Sequence, residues 1–294
     1  MKKHYVVLFL CMAPLFWAGN YVFGEYVVHE TTPLTMTFIR WSIALVILIP
    51  LAQWIEKPKW SAVLKEWKFL MLMAGLGIIG YNFLLYEALR WTSPVNASLV
   101  NSISPVLIAL LSALLMRERL TRQTVLGLLI SFSGVLLVLS KGSLFQLITI
   151  QFNIGDLIML SAVLLWSLYS ILGRVKAGIP PIASLTVSAA IGLILITPAV
   201  VYIGLPETLS TQGKLGLLYM GLFPSVGAFV FWNISLRHTN ASGVGIYLYL
   251  IPVFTAIISL ILGETITWVQ IAGGILVFIG VYLNTKVQRR IKLA

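Results

Sequence analysis

The chain has 294 residues, of which 59% are hydrophobic and only 10% charged, against roughly 45–50% apolar and 25% charged in soluble domains. Water is therefore not the solvent for most of its surface, and a soluble enzyme or binding module is excluded. The net charge of +11 does not point to nucleic acid, because the basic residues fall in short turns between apolar stretches and form no helix face or aromatic-interleaved patch. One cysteine, Cys11, and three histidines, His4, His29 and His238, support neither a disulfide scaffold nor a zinc site.

A membrane-crossing helix needs about 20 apolar residues. Ten segments reach that length, near 5–27, 33–53, 68–89, 94–116, 122–140, 155–175, 181–203, 214–236, 241–262 and 267–285. Strands of a membrane barrel would alternate polar with apolar residues and these segments do not, so the expected fold is all-α and integral to the membrane. The first segment has no small-residue cleavage pattern before the turn at Thr31-Thr32-Pro33, so it is expected to be retained as a span rather than removed as a signal peptide.

In chain order, the first span carries a stripe of Trp17, Asn20, Tyr21 and Gly24. The second holds Arg40, the one basic residue well inside a span, about seven residues beyond Pro33 and thus roughly 10 Å deep. If the first two spans run as an antiparallel pair, Asn20 is level with Arg40, and Glu25 and Glu87 lie shallower, within reach of an extended guanidinium. Charge inside a span is costly, so Arg40, Glu25 and Glu87 are expected to be paired or to line a wet cavity. The connection from Glu56 to Lys68 reads as a short amphipathic helix on the inner surface, and the third span adds Asn82.

On the fourth span Ser98, Asn101, Ser102 and Pro105 follow i, i+3, i+4, i+7 and share one face, with Pro105 expected to kink the helix. Thr121 is positioned to cap the fifth span, and Glu118 to bond turn amides or a neighbouring helix end. The segment Gly142 to Asn153 is apolar enough to lie along the membrane, and Ile203 to Lys214 reads as an ordinary outer loop. The sixth span repeats the aromatic stripe as Trp166, Tyr169, Ser170 and Gly173, and the ninth carries Gly245, Leu248, Tyr249 and Pro252. Gly127, Gly134, Gly273, Gly274 and Gly280 read as points of close helix contact.

The second half repeats the first. Leu89-Arg90-x-Thr92 corresponds to Leu236-Arg237-x-Thr239, Pro105-Val106 to Pro252-Val253, Glu118-x-x-Thr121 to Glu264-x-x-Thr267, and Gly127 and Gly134-Val135 to Gly273 and Gly280-Val281. Trp17, Gly24, Pro33 and Pro50 likewise match Trp166, Gly173, Pro181 and Pro198. Unrelated apolar helices share leucines, but not Pro, Glu, Thr and Gly in one order. Residues 1–141 and 155–286 thus each form a five-helix repeat. Five is odd, so the halves enter the membrane from opposite sides as an inverted repeat.

With an inside N-terminus, sixteen of the twenty Lys and Arg residues fall on inner segments, so both termini are expected to be cytoplasmic. Ala88-Leu89, Thr92-Ser93, the Pro105 helix, Glu118-Arg119-Leu120-Thr121 and the glycines at 127 and 134 resemble the EamA-type members of the drug/metabolite transporter superfamily. The resemblance spans nearly the whole chain and implies a ten-helix carrier of two repeats, moving amino acids, other metabolites or drugs.

The expectation is a secondary carrier that exports small metabolites, amino acids or related amphipathic solutes, by alternating access across the cell membrane. Multidrug or organic-cation efflux is the alternative. Trp17, Asn20, Arg40, Asn82, Glu87, Ser98, Asn101, Trp166, Tyr169 and Tyr249 are the candidate substrate-binding residues: aromatic walls with a few hydrogen-bonding groups suit such solutes through stacking and cation–π contact. No cofactor is expected, since no Gly-x-x-x-x-Gly-Lys-Ser/Thr loop occurs. An intramembrane enzyme lacks a nucleophile–base pair or clustered acidic ligands, and a channel would need a ring or filter of repeated ligands. The solute and the lipid bilayer are the expected partners, and a homodimer stays open beside a monomer.

Overall fold

The computed structural model describes residues 3–118, 120–139, 153–175, 178–262 and 268–291. Its order is α1 (Lys3–Val28), α2 (Pro33–Ile55), a single turn at Trp60–Leu64, α3 (Trp67–Leu89), α4 (Pro94–Asn101), α5 (Ser104–Met116), α6 (Arg122–Leu139), α7 (Ile154–Val175), α8 (Pro181–Ile203), α9 (Thr211–His238), α10 (Ala241–Ile258, continuing to Ile261) and α11 (Trp268–Ile291). No strand occurs among the described residues. Seven of these helices are long and apolar enough to cross a membrane, and three shorter apolar ones lie at Ser104–Met116, Arg122–Leu137 and Ile271–Leu283.

The burial pattern is that of a protein dissolved in hydrocarbon. Val46, Leu114, Ile194 and Val201 project outward, each about three-quarters exposed, while Asn20, Arg40, Asn82 and Asn101 are all but fully buried. Hydroxyls within the helices bond their own backbone, Thr37 to the carbonyl of Pro33 at 2.8 Å, Ser42 to that of Phe38 at 2.8 Å and Thr197 to that of Leu193 at 2.7 Å, which hides polar groups where no water can meet them.

Local chemistry sets the ends. Thr32 caps α2 by accepting the amide of Thr35 at 3.2 Å, ahead of Pro33, and Ser210 caps α9 through the amide of Gly213 at 2.9 Å. Thr121 caps α6 through the amide of Thr124 at 3.1 Å, as its spacing predicts. Helix α8 begins on Pro181 with no side-chain cap of its own; the carboxylate of Glu56, at the end of α2, accepts the amides of Ile182 at 2.9 Å and Ala183 at 2.8 Å. Glu30, in the α1–α2 turn, accepts the amide of Ser210 at 2.8 Å and its hydroxyl at 2.6 Å, and these donors hold its carboxyl below the usual carboxylate range.

Such contacts sort the turns onto two ends of the bundle. The α1–α2 turn meets the start of α9 through Glu30, and Thr92, after α3, donates to Asp156, at the start of α7, at 3.0 Å. At the other end Glu56 meets the start of α8, Arg237 donates to the carbonyl of Ile179 at 2.7 Å, and Glu118 forms an ion pair with Arg174. The Glu118 expectation is thereby made specific: its neighbour is the last turn of α7.

Three readings of the sequence need correction. The fourth predicted span is broken at Ser102–Ile103 into α4 and α5, because Pro105 has no amide to donate and is best placed in a first turn, where none is needed. The amphipathic helix of the inner connection is one turn only, with Val63 buried and Leu64 and Trp67 half exposed. Helices α3 and α9 are not plain spans: each contains a π-helical stretch, Ala74–Gly80 and Gly221–Ala228. Residues 142–152 and the predicted Glu264–Thr267 pair lie outside the described residues.

Helices α6 and α11 cross at backbone contact. A Cβ on Gly134 would stand 2.5 Å from the carbonyl oxygen of Gly273, one on Gly280 would strike the carbonyl of Gly127 and the Ser131 hydroxyl, and that hydroxyl donates to the carbonyl of Val277 at 3.2 Å. Gly127, Gly134, Gly273 and Gly280 are thus the contact points the sequence implies; Gly274 instead faces Val253 at 3.7 Å.

Candidate functional site

The centre of the bundle is organised by one guanidinium. Arg40, in the second turn of α2, is 1% exposed. Its Nε donates to the hydroxyl of Ser225 on α9 at 2.7 Å. Its Nη1 donates to Asn20 Oδ1 on α1 at 3.2 Å, to Asn82 Oδ1 on α3 at 2.8 Å, and to the Tyr86 hydroxyl. The Tyr86 hydroxyl in turn donates to Asn20 Oδ1 at 3.0 Å. All these partners are neutral. An amide or hydroxyl oxygen offers only partial negative charge, so the site retains nearly the full positive charge of the guanidinium in a low-dielectric interior.

The acceptors are held by the two π-helical stretches. Asn82 Nδ2 donates to the carbonyls of Gly77 at 2.8 Å and Ile78 at 2.9 Å, and Ser225 Oγ donates to the carbonyl of Met220 at 2.8 Å. A π turn widens the helix by one residue per turn, and these side chains bond the carbonyls of the widened turns. Gly77 permits the close approach of α7, since a Cβ there would run into the Tyr169 ring.

Beside the polar cluster lies an aromatic one. Trp17 meets Trp166 edge-on with centroids 4.9 Å apart and Trp232 at 5.4 Å; Trp166 stacks on Tyr169 at 5.3 Å and touches Tyr81 at 5.0 Å. Phe229 stands between Trp41, at 4.9 Å, and Trp166, at 5.4 Å. The Arg40 guanidinium lies 5.6 Å from the Trp41 ring centre and 5.7 Å from that of Tyr86, so cation and rings form one continuous surface. Among the described residues, five buried polar atoms of the candidate site residues and their neighbours have no hydrogen-bond partner: Arg40 Nη2, the indole Nε1 of Trp17, Trp41 and Trp232, and, on α10, the Tyr249 hydroxyl. Four are pure donors, and an unmet buried donor costs about 1–3 kcal/mol.

The structure brings Trp17, Asn20, Arg40, Asn82, Trp166 and Tyr169 together, with Tyr169 bonded to Asn233 at 3.0 Å. Trp17, Asn20, Asn82, Ser98, Asn101, Trp166, Tyr169 and Tyr249 are all buried and packed rather than strung along an open path. Asn101 accepts the Ser104 hydroxyl at 3.1 Å across the α4–α5 break, and Ser102 donates to the carbonyl of Ser98 at 3.2 Å.

Glu87 does not belong to the centre. Its carboxylate takes Arg90 at 3.3 Å and the Trp91 indole at 3.1 Å, neighbours three and four residues on that a helical carboxylate reaches most easily. Although the sequence places Glu25 and Glu87 within reach of an extended guanidinium, the Arg40 nitrogens are directed to Asn20, Asn82, Tyr86 and Ser225. Sequence reasoning passed over Tyr86, Ser225, Trp41, Phe229 and Trp232. Tyr86 was findable, being four residues from Asn82 on one helical face; Ser225 had no local signal.

The family model of the EamA-like transporter family matches residues 4–140 and 153–286. The chain belongs to that family. It is 30% identical to the uncharacterized transporter YyaM of Bacillus subtilis (strain 168), over 98% of this chain and 96% of that one. It is 28% identical to the aromatic amino acid exporter YddG of Ancylobacter novellus, over 64% of this chain and 65% of that one. A solved crystal structure superposes with a TM-score of 0.79, covering 99% of each chain at 22% identity, a likeness of fold.

Proposed function

We propose that the protein is a secondary transporter that exports amino acids or closely related amphipathic carboxylates by alternating access. The observation that carries this reading is Arg40: a buried cation with neutral partners and an unpartnered Nη2, set against aromatic faces. A carboxylate supplies the missing charge through a paired guanidinium contact, and an apolar or aromatic side chain suits the ring cluster. The similarity to an aromatic amino acid exporter fits the same chemistry. An organic cation fits it poorly, because it would enter beside an uncompensated guanidinium.

Ten spans in two inverted five-helix repeats supply the moving parts, with the broken pair α4–α5 counted as one span. The π-helical stretches of α3 and α9 fall at matching places in the two halves, which supports the repeat. Both termini lie in the cytoplasm, so reporter tags near Lys59 and Gln212 are expected on the inner and outer side respectively; the same side for both would end the inverted-repeat model.

In proteoliposomes, L-phenylalanine loaded inside is expected to drive saturable counterflow of labelled L-phenylalanine. L-Phenylalaninamide, which lacks the carboxylate, is expected to compete at least tenfold more weakly. Equal competition by the amide, or preferential counterflow of a tetraalkylammonium ion, would overturn the carboxylate reading, and non-saturating conductance would favour a channel.

A further inference from the structure

The guanidinium does more than wait for a ligand, because two of its bonds lead to the irregular stretches of α3 and α9. Nε holds Ser225, inside the π-helical stretch of α9, and Nη1 holds Asn82, whose own amide closes the π-helical stretch of α3. Ser225 and Asn82 are thus bonded at one end to Arg40 and at the other to backbone carbonyls of the widened turns, those of Met220, Gly77 and Ile78. One residue of α2 clasps two wide turns, one from each half of the chain.

We infer that Asn82 and Ser225 are positioning residues that transmit occupancy of the Arg40 site to the two π-helical stretches, whose rewinding opens one end of the bundle; this rests on the carboxylate reading given above. A carboxylate offers the guanidinium stronger acceptors than an amide or hydroxyl oxygen does. When it engages Arg40 through Nη2 and one neighbouring nitrogen, the planar guanidinium is drawn as a body toward the ligand and away from Ser225 and Asn82. Those side chains are then held only by the π carbonyls, and the wide turns are free to pass into ordinary α geometry. A π-to-α change shifts the helix beyond it by about one residue, roughly 1.5 Å of rise and 100° of rotation. Two such shifts, on α3 and α9, act on the helices that carry Tyr86, Phe229 and Trp232, which form much of the closed centre. A ligand lacking an acceptor leaves the clasp intact and moves nothing, which makes the device selective as well as mechanical.

The test uses the full chain in proteoliposomes, on a Cys11→Ser background, with L-phenylalanine as probe. Cysteines at Ala74 and Ala228, both buried within the π-helical stretches, report on the wide turns through their rate of reaction with a small thiol reagent. L-Phenylalanine is expected to change both rates at least fivefold, and Ser225→Ala to reduce that response to less than twofold. Ser225→Ala is also expected to lower the maximal exchange rate about tenfold while leaving the half-saturating concentration within about threefold, and Ser225→Thr, which keeps the hydroxyl, to restore the rate. Asn82→Asp covers the case in which Ser225→Ala fails to insert: an ion pair with Arg40 tightens the clasp, so exchange is expected to fall at least tenfold with thermal stability equal to or above that of the parent. Parent-like exchange in Asn82→Asp, or a full ligand response in Ser225→Ala, overturns the inference while leaving carboxylate binding standing. If the parent itself binds no L-phenylalanine or other aromatic carboxylate, both readings fall together.

Discussion

Arg40→Gln is expected to lower counterflow of carboxylate solutes about a hundredfold while the protein still inserts and purifies. The size follows from the loss of one desolvated, charge-assisted pair, about 3 kcal/mol. Stability changes less, because the glutamine amide still donates to Asn20 or Asn82, and a buried cation lacking a counter-charge is itself a burden that the substitution removes. Arg40→Lys retains the charge but loses the fork that reaches Ser225 with Nε and Asn20, Asn82 and Tyr86 with Nη1, so a loss of roughly tenfold is expected. Counterflow and thermal unfolding of the two variants measured side by side decide the matter. Parent rates and unchanged solute preference in both would show that Arg40 has no part in transport; parallel collapse of stability and rate would make it an anchor.

The second large effect is structural. Gly280→Val is expected to destabilise the protein by about 1–3 kcal/mol, because the new side chain meets the backbone of Gly127 and Ser131 on α6, which cannot swing aside. Gly134→Val should behave alike, its Cβ facing the Gly273 carbonyl and the Val277 amide. Gly274→Ala is the matched control: its nearest neighbour is a Val253 methyl at ordinary contact distance, so its unfolding midpoint should stay near the parent's. In membranes such close crossings replace the hydrophobic drive that water would supply. Thermal unfolding in detergent is the measurement, and an unshifted midpoint for Gly280→Val would mean that α6 and α11 are not held by this crossing.

Much of this was legible in the chain, and the legible part has a common physical cause. Span positions follow from hydropathy, since each crossing must hide its own backbone. The level of Asn20 with Arg40 follows from helix rise and a short turn, and the contact is there at 3.2 Å. The glycines of α6 and α11 announce close approach because nothing else explains so many residues without side chains in apolar helices.

Partnerships across long sequence separations were not legible. Ser225 lies 185 residues from Arg40 and resembles any other serine in a span. The π-helical stretches escaped notice because one extra residue in a turn leaves composition unchanged, although Ala74-Gly-Leu-Gly-Ile-Ile-Gly80 and Gly221-Leu-Phe-Pro-Ser-Val-Gly227 are rich in the residues that tolerate distortion. For Glu87, reach alone left Arg40 open as a partner, whereas its carboxylate bonds Arg90 and Trp91 at its own helix end.

The carboxylates of Glu30 and Glu56 also impose an order in time. Both belong to the portion of the chain made first, and the amides they cap lie 180 and 126 residues further on. At about 5–20 residues per second, Glu56 waits roughly 6–25 s after its own synthesis before Ile182 leaves the ribosome, and Glu30 waits longer for Ser210. The amides of Ile182, Ala183 and Ser210 therefore meet these carboxylates only once the second half of the chain has been made. The later half of the nascent chain is thus guided to its seat by charges that the earlier half has been holding ready.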